Sequence, residues 1–377
     1  MLISPRPLLN PAVSRRQCAA WGLALAGPAW AGLDEELAAH QSAYRPRLAW
    51  RPDAGWRDVA LAVTRRHLLQ PGDDGAPFDA ERLAHEDRGD HRAERWSLRL
   101  ALGLRATALH LRPKAPGPHP AVLLLHDHGA RFDIGKEKLV PPLGDPARSA
   151  SAQAWVDRYF DGRWWGQSLV QAGYAVLAVD ALGWGERART GFARDDQQAL
   201  AAHLQQLGLS WAGLIASDDL RALRWLRQLP HVDARRVATA GFSMGALRAW
   251  QLAAVAPDEV QACVAAHWLC ARDGLLRPGE HTLQGQSAYA MLHPGLAAEL
   301  DHPDVAALVA PRPLLLFGSP QDRLFPWDAV QATVRRLARA WPPGDAGLRF
   351  VATDDGHRAG RGVQAEVLRW LGRQIPP

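Results

Sequence analysis

The chain is 377 residues long, with 47% hydrophobic and 22% charged residues, the balance of a globular protein with a sizeable core. This length exceeds the usual single domain, although one α/β unit with insertions reaches it. The net charge is +5, but three basic and no acidic residues lie in the first 31, leaving 41 basic against 39 acidic residues. With no Lys/Arg-rich run, nucleic acid is excluded as a partner class.

In chain order, residues 1–31 read as a signal peptide. Ser14-Arg15-Arg16-Gln17 precedes the apolar run Cys18 to Trp30, and Ala29-Trp30-Ala31 supplies an A-x-A cleavage site. The paired arginines resemble a twin-arginine signal, although the usual Phe-Leu-Lys continuation is absent. An ordinary Sec signal or an uncleaved anchor is the alternative. The apolar run is too short for a stable bilayer-spanning helix, so export to the periplasm or beyond is expected, with no membrane span after signal removal. Cys263 and Cys270 read as two buried thiols, with a pairing in an oxidising compartment as the alternative.

Residues 32–95 read as a polar, helical N-terminal extension broken around Pro71 to Pro77, ahead of a domain at 96–377. Trp96 to Leu104 and Arg105 to Leu111 alternate apolar and polar residues, as antiparallel strands with one wet face do. A Pro-rich turn comes next at Pro113 to Pro120. Then come six short apolar runs separated by helix-length segments: Ala121–Leu125, Tyr174–Val179, Val237–Ala240, Ala262–Ala266, Pro313–Phe317 and Leu348–Val351. Strands apolar on both faces indicate a mostly parallel central sheet with helices on both sides. Ligands in such sheets bind beyond the carboxyl ends of the strands, so the residues after each run matter most.

The first run ends in His126-Asp127-His128-Gly129-Ala130. H-x-H invites a metal reading, but no further ligands stand at zinc-like spacing, and neither metal nor cofactor is expected. Lys136 and Lys138 come shortly after and read as solvated. After Val179 come Glu186 and Arg187, read as an ion pair holding the loop, with a reach into the cleft as the alternative. Trp164, Trp165 and Trp184 are candidate substrate-binding residues, an aromatic wall for an acyl or sugar group; core packing is the equal alternative for these three among the sixteen tryptophans. Residues 186–215 are long enough for a small lid.

The run Val237–Ala240 enters Gly241-Phe242-Ser243-Met244-Gly245, and helix-like Ala246 to Ala256 comes after it. This is G-x-S-x-G between a strand and a helix, the context that gives the motif its meaning. A nucleophile on a sharp turn holds strained backbone angles and leaves no room for bulk at the flanking positions. Serine needs a base, and the base needs an orienting partner. Asp322 lies just past Pro313–Phe317, and His357 just past Leu348–Val351. Asp354 and Asp355 are too near His357 in sequence to reach its Nδ1 and shape the turn instead. His281, His293 and His302 read as surface or loop residues.

The order Ser243, Asp322, His357 is that of the α/β-hydrolase fold, and it makes these three the candidate catalytic triad. In that fold the amide after the nucleophile, here Met244, and one from the loop after Ala121–Leu125, assigned to His128, form the oxyanion hole.

At these residues the chain resembles the bacterial α/β hydrolases grouped around dienelactone hydrolase and the acetyl xylan esterases, in a branch where H-G-H-G-G, G-K-E-K and D-A-L-G-x-G-E-R recur. Here these are His126 to Ala130, Gly135-Lys136-Glu137-Lys138, and Asp180-Ala181-Leu182-Gly183-Trp184-Gly185-Glu186-Arg187; Ala310-Pro311-Arg312-Pro313 and Phe325-Pro326 fit as well. The resemblance spans about residues 95–375 and implies hydrolysis of small carboxylic esters, acetylated sugars among them. Asp127 departs from the family's Gly in the oxyanion loop, and the Cys nucleophile of dienelactone hydrolase has no counterpart here. The alternatives are a prolyl-oligopeptidase-type peptidase, for which residues 32–95 are too short to form a propeller, and a non-catalytic binding protein, against which an intact triad argues.

Overall fold

The computed structural model describes residues 28–277, 286–342, 344 and 347–377. The described residues fall into two units, residues 28–45 and 46–377. In the first, helix α1 spans Pro28–Ala43. Most of the expected signal segment, and His281, lie outside the described residues. No helix among the described residues is long and apolar enough to cross a membrane.

The second unit is built on a nine-stranded sheet. Its strands are β1 Glu81–Asp87, β2 His91–Arg99, β3 Arg105–Pro113, β4 His119–Leu125, β5 Ala175–Val179, β6 Val232–Phe242, β7 Ala262–Ala266, β8 Leu314–Gly318 and β9 Leu348–Ala352, in spatial order β1-β2-β3-β5-β4-β6-β7-β8-β9. β1, β2, β3 and β5 pair antiparallel, and all pairs from β5 to β9 are parallel.

The inner parallel strands bury both faces, the edge strand β9 being partly exposed, and alternation divides their side chains between two cores. From β4, Ala121, Leu123 and Leu125 face one side; Val122 and Leu124 face the other. Each such leucine contributes roughly 1.5–3 kcal/mol by leaving water. The first core is covered by α2 Trp56–Leu68, α5 Asp196–Gln206, α6 Trp211–Gln228 and α7 Met244–Val255; the second by α3 Pro146–Phe160, α4 Trp165–Gln171 and α9 Arg361–Gln374. Helix α8, Trp327–Ala338, comes after β8. Local signals set helix ends: α3 starts at Asp145, whose carboxylate accepts from the Arg148 N–H at 3.0 Å with Pro146 in the first turn, and α6 starts at Ser210, whose hydroxyl accepts from the Gly213 N–H at 2.9 Å.

The expectation that residues 32–95 are helical is corrected. α2 packs Trp56, Ala60 and Leu68 into the first core, while β1 and the start of β2 are strands. β1 is an edge strand of sequence Glu-Arg-Leu-Ala-His-Glu-Asp, exposed along nearly its whole length. An edge strand wet on both faces carries no apolar alternation to reveal it. Likewise, the strand expected at Trp96 to Leu104 is displaced: β2 ends at Arg99, and a 3₁₀ turn at Ala101–Gly103 leads to β3. Cys263 and Cys270 are two buried free thiols.

Candidate active site

Three strand ends build the site. At the end of β6, Ser243 has φ 55° and ψ −125°, a conformation that costs a non-glycine residue about 1–3 kcal/mol, and α7 begins at the next residue. Its glycine neighbours are required by close approach. A Cβ on Gly241 would lie 2.1 Å from the Gly245 carbonyl oxygen, and one on Gly245 would lie 1.8 Å from the Leu125 carbonyl oxygen. The turn is tied down by Ser243 N–H donating to Ala266 C=O at 2.9 Å.

His357 lies on the loop after β9. The Gly356 N–H donates to the Ser319 hydroxyl at 3.2 Å, and the Ala359 N–H to Tyr159 C=O at 2.9 Å, holding that loop on both sides. His357 Nδ1 is 2.7 Å from Asp322 Oδ2, and Nε2 is 2.8 Å from Ser243 Oγ. The carboxylate therefore assigns the proton to Nδ1, which leaves Nε2 to accept from the serine hydroxyl. Asp322 Oδ1 accepts from the Leu324 N–H at 2.9 Å. Burial pushes the Asp322 carboxyl up, but His267 and His357 outweigh it and hold the group well below the usual carboxylate range. Asp354 and Asp355 are exposed.

Ser243 and His357 open into a cleft of about 280 Å³ walled by Trp155, Tyr159, Trp268, Met291 and Phe325. Met244 and residues Asp127 to Ala130 line the same cleft, so both residues expected to supply oxyanion donors border it. Gly129 has φ 57°, and a Cβ there would lie 2.3 Å from the Trp155 ring. The His126 and His128 rings are committed within the protein. His126 accepts from the Ala181 N–H at 3.0 Å and donates from Nδ1 to Asp127 C=O at 2.9 Å. His128 accepts from the Ala130 N–H at 3.0 Å and donates from Nε2 to Gln197 Oε1 at 2.6 Å. Burial lowers the His128 pKa to about 4, so the ring is neutral at pH 7. Gln197 belongs to α5, which places the segment expected as a lid against this loop.

The three candidate tryptophans do not line the cleft. Trp165 and Trp184 are fully buried. Trp184 stacks on Trp211 with centroids 5.4 Å apart and donates its indole N–H to His128 C=O at 3.0 Å; Trp164 donates to Glu137 C=O at 2.9 Å. Large flat side chains near strand ends serve core and cleft equally well, and local sequence does not separate the two. The aromatic wall comes from α3 and from the loops after β7 and β8 instead.

Other loop residues are also reassigned. Glu186 accepts from Arg95 and Arg148, each at 2.6 Å, and Arg187 donates to Asp218 at 2.6 Å, so both brace the loop through partners other than each other. Lys136 and Lys138, expected to be solvated, are buried; Lys136 Nζ lies 2.7 Å from Asp180 and 2.8 Å from Glu137. His302 is buried too, donating to Cys270 C=O at 2.9 Å.

Sequence reasoning missed His267. It comes directly after β7, has φ 61°, is buried, and sets Nδ1 3.5 Å from Asp322 Oδ2, while neither ring nitrogen has a strict hydrogen-bond partner among the described residues. Its place at the carboxyl end of a parallel strand is the signal that could have found it. One donor atom each from His267, Asp322 and His357 lie within 4.8 Å of one another, near enough to share a metal ion. His357 already engages both partners through its two ring nitrogens, Asp322 at Nδ1 and Ser243 at Nε2.

With the geometry in place, the chain can be set beside known proteins. The model of the abhydrolase family matches residues 35–338. YtaP of Bacillus subtilis (strain 168), assigned by its name to the hydrolases, is 29% identical over 312 residues, covering 82% of this chain and 96% of that one. Among solved structures, a Bacteroides fragilis NCTC 9343 protein named as an acetyl xylan esterase superposes with a TM-score of 0.67 at 20% identity, over 84% of this chain and 80% of that one. A glucuronoyl esterase from Solibacter usitatus gives a TM-score of 0.61 at 15% identity, over 85% and 92%. These likenesses show the α/β-hydrolase fold. By its match over most of its length, the chain belongs to the abhydrolase family.

Proposed function

We propose that this protein is a serine esterase acting on small carboxylic esters, with Ser243 as nucleophile, His357 as general base and acid, and Asp322 as orienting carboxylate. The observation that carries this reading is the unbroken series from Ser243 Oγ through His357 to Asp322, with bonds of 2.8 and 2.7 Å, at the floor of an aromatic cleft.

In the proposed reaction Ser243 Oγ attacks the ester carbonyl carbon as His357 Nε2 takes the hydroxyl proton. The carbonyl oxygen becomes an oxyanion, met by the Met244 N–H at the start of α7 and the His128 N–H; one such donor is worth roughly 3–4 kcal/mol in the transition state. His357 then returns the proton to the leaving alkoxide, the ester C–O bond breaks, and an acyl-serine remains. Water, deprotonated by His357, attacks the acyl carbon and releases the acid, restoring the serine hydroxyl. Asp322 stays ionised throughout and balances the imidazolium.

Acetylated sugars are the substrate class favoured within this reading. The cleft is lined by Trp155, Tyr159 and Trp268, side chains of a type that suits a sugar ring, and structural neighbours carry the names acetyl xylan esterase and glucuronoyl esterase. The segment 1–31, with its paired arginines, supports export. The test is p-nitrophenyl acetate and acetylated xylose hydrolysis by the wild type and by Ser243→Ala. A fall of roughly 10³-fold or more in kcat, with the melting temperature kept, is expected. Retention of the wild-type rate by Ser243→Ala would end the proposal.

A further inference from the structure

One buried charge beneath the site has no role in that reaction. Lys138 ends a 3₁₀ turn, Lys136–Lys138, and its side chain is 0% exposed. Taking an ammonium out of water costs several kcal/mol unless it is well paired. Its partners all belong to one loop and one ring above it. Nζ donates to Asp127 C=O at 3.1 Å and to His128 C=O at 3.0 Å, stands 3.4 Å from Asp127 Oδ2, and lies 4.9 Å from the centre of the Trp155 ring.

Those two carbonyls decide where the loop's amides point. A trans peptide sets its C=O and N–H on opposite sides, and neither peptide here is cis. The Asp127 carbonyl is held by Lys138 and by His126 Nδ1–H, so the His128 N–H of the same peptide points away from both. The His128 carbonyl is held by Lys138 and by the Trp184 indole, so the Gly129 N–H also turns away from them. The same residues line the cleft beside Ser243 and Met244. The extra carboxylate at Asp127 is absorbed in this arrangement by Lys138 and by the Trp155 indole N–H at 3.2 Å.

We infer that Lys138 is a positioning residue, which pins the Asp127 and His128 carbonyls so that the loop presents its amides to an oxyanion formed at Ser243. The inference rests on the reading of Ser243 as nucleophile. The lysine touches no reacting atom; it acts through the peptide planes it holds.

The role predicts a specific kinetic signature. Oxyanion donors act on the transition state more than on bound substrate, so kcat falls while KM stays nearly constant. The experiment compares the wild type with Lys138→Met, with the double variant Asp127→Asn/Lys138→Met, which removes both charges together, and with Trp184→Phe, which deletes the indole donor to the same His128 carbonyl. Each is measured for melting temperature, for kcat and KM on p-nitrophenyl acetate, and for inhibition by an alkyl trifluoromethyl ketone, which adds to serine and carries an oxyanion. Folded Lys138→Met or double variant is expected to lose about 100-fold in kcat and a similar factor in ketone affinity, with KM within about threefold, as for loss of one oxyanion donor. Trp184→Phe is expected to lose about fivefold in both, supporting the same peptide-plane argument even if the lysine variants do not fold. Wild-type kcat and ketone affinity in a folded lysine variant, or in Trp184→Phe where the lysine variants do not fold, would overturn the inference. Ser243→Ala separates the two claims: if it is inactive while the lysine variants are unimpaired, only the role of Lys138 falls.

Discussion

The Ser243 turn and the 126–130 loop follow neighbouring strands, line the same cleft and are held by different physics. The turn is a steric object. Gly241 and Gly245 sit where any Cβ would meet backbone atoms at 2.1 and 1.8 Å, and those contacts arise within the turn or against the end of β4. The loop is an electrostatic object. Its shape depends on the buried Lys138 ammonium, on the Trp184 indole and on the His126 and His128 rings, contributed from separate parts of the chain. A steric constraint leaves a short local signature in sequence, and a network of buried polar groups does not.

The comparison can be broken most directly at Gly245. Gly245→Ala sets a methyl group against the Leu125 carbonyl, which cannot move without displacing β4, so a loss of at least about 3 kcal/mol of stability and of all activity is expected. Thermal melting and ester hydrolysis check it, and a soluble variant with the wild-type melting temperature would show that the turn is not sterically set.

The relay that joins the turn to its acid gives a smaller effect. His267 stands 3.5 Å from Asp322 Oδ2, which also accepts from His357. His267→Phe removes that second imidazole, leaving Asp322 less well oriented, and kcat is expected to fall about tenfold at unchanged KM. The other ionisable group facing His267 is Asp355. His267→Asn keeps a donor at the Nδ1 position and tolerates the positive φ. It is expected to recover most of the rate, and equal kinetics in both variants would remove any special role for the imidazole.

The smallest expected effect lies on the polar side of the comparison. Burial lowers the pKa of His128 to about 4 from the ordinary 6.5, and His110 and His231 also fall to about 4. Below pH 6.5 the unfolded chain binds these protons before the folded one does. Stability is therefore present above that pH, declines as pH drops towards about 4, and levels off once the native rings also protonate. A melting temperature falling by several degrees between pH 6.5 and 4 is the expected outcome, and a flat profile over that window would contradict it.

Much of the fold was legible because the inner parallel strands are apolar on both faces and bounded by turns. The runs at Ala262–Ala266 and Leu348–Val351 coincide with β7 and nearly with β9. Strand ends then pointed to Ser243, Asp322 and His357, and the structure brings these three side chains together. The features that escaped have physical causes. β1 is wet on both faces and shows no periodicity. Lys138 reads as solvated because lysines are almost never fully buried unless paired, and its partners are carbonyl oxygens, which no side-chain pattern reports. Trp184 reads as a cleft residue by its neighbours, yet its ring is spent on Trp211 and the 126–130 loop.

The sequence by itself determined the layered sheet, the turn at Ser243 and the order of the proposed nucleophile, acid and base, because these depend on side-chain period, on glycine at fixed offsets and on the residues just past each strand's carboxyl end. Tertiary structure decided which tryptophans wall the cleft, which histidine stands behind Asp322 and which lysine holds the 126–130 loop. Those assignments depend on distances between residues far apart in the chain, and such distances are set when the two cores close on the sheet.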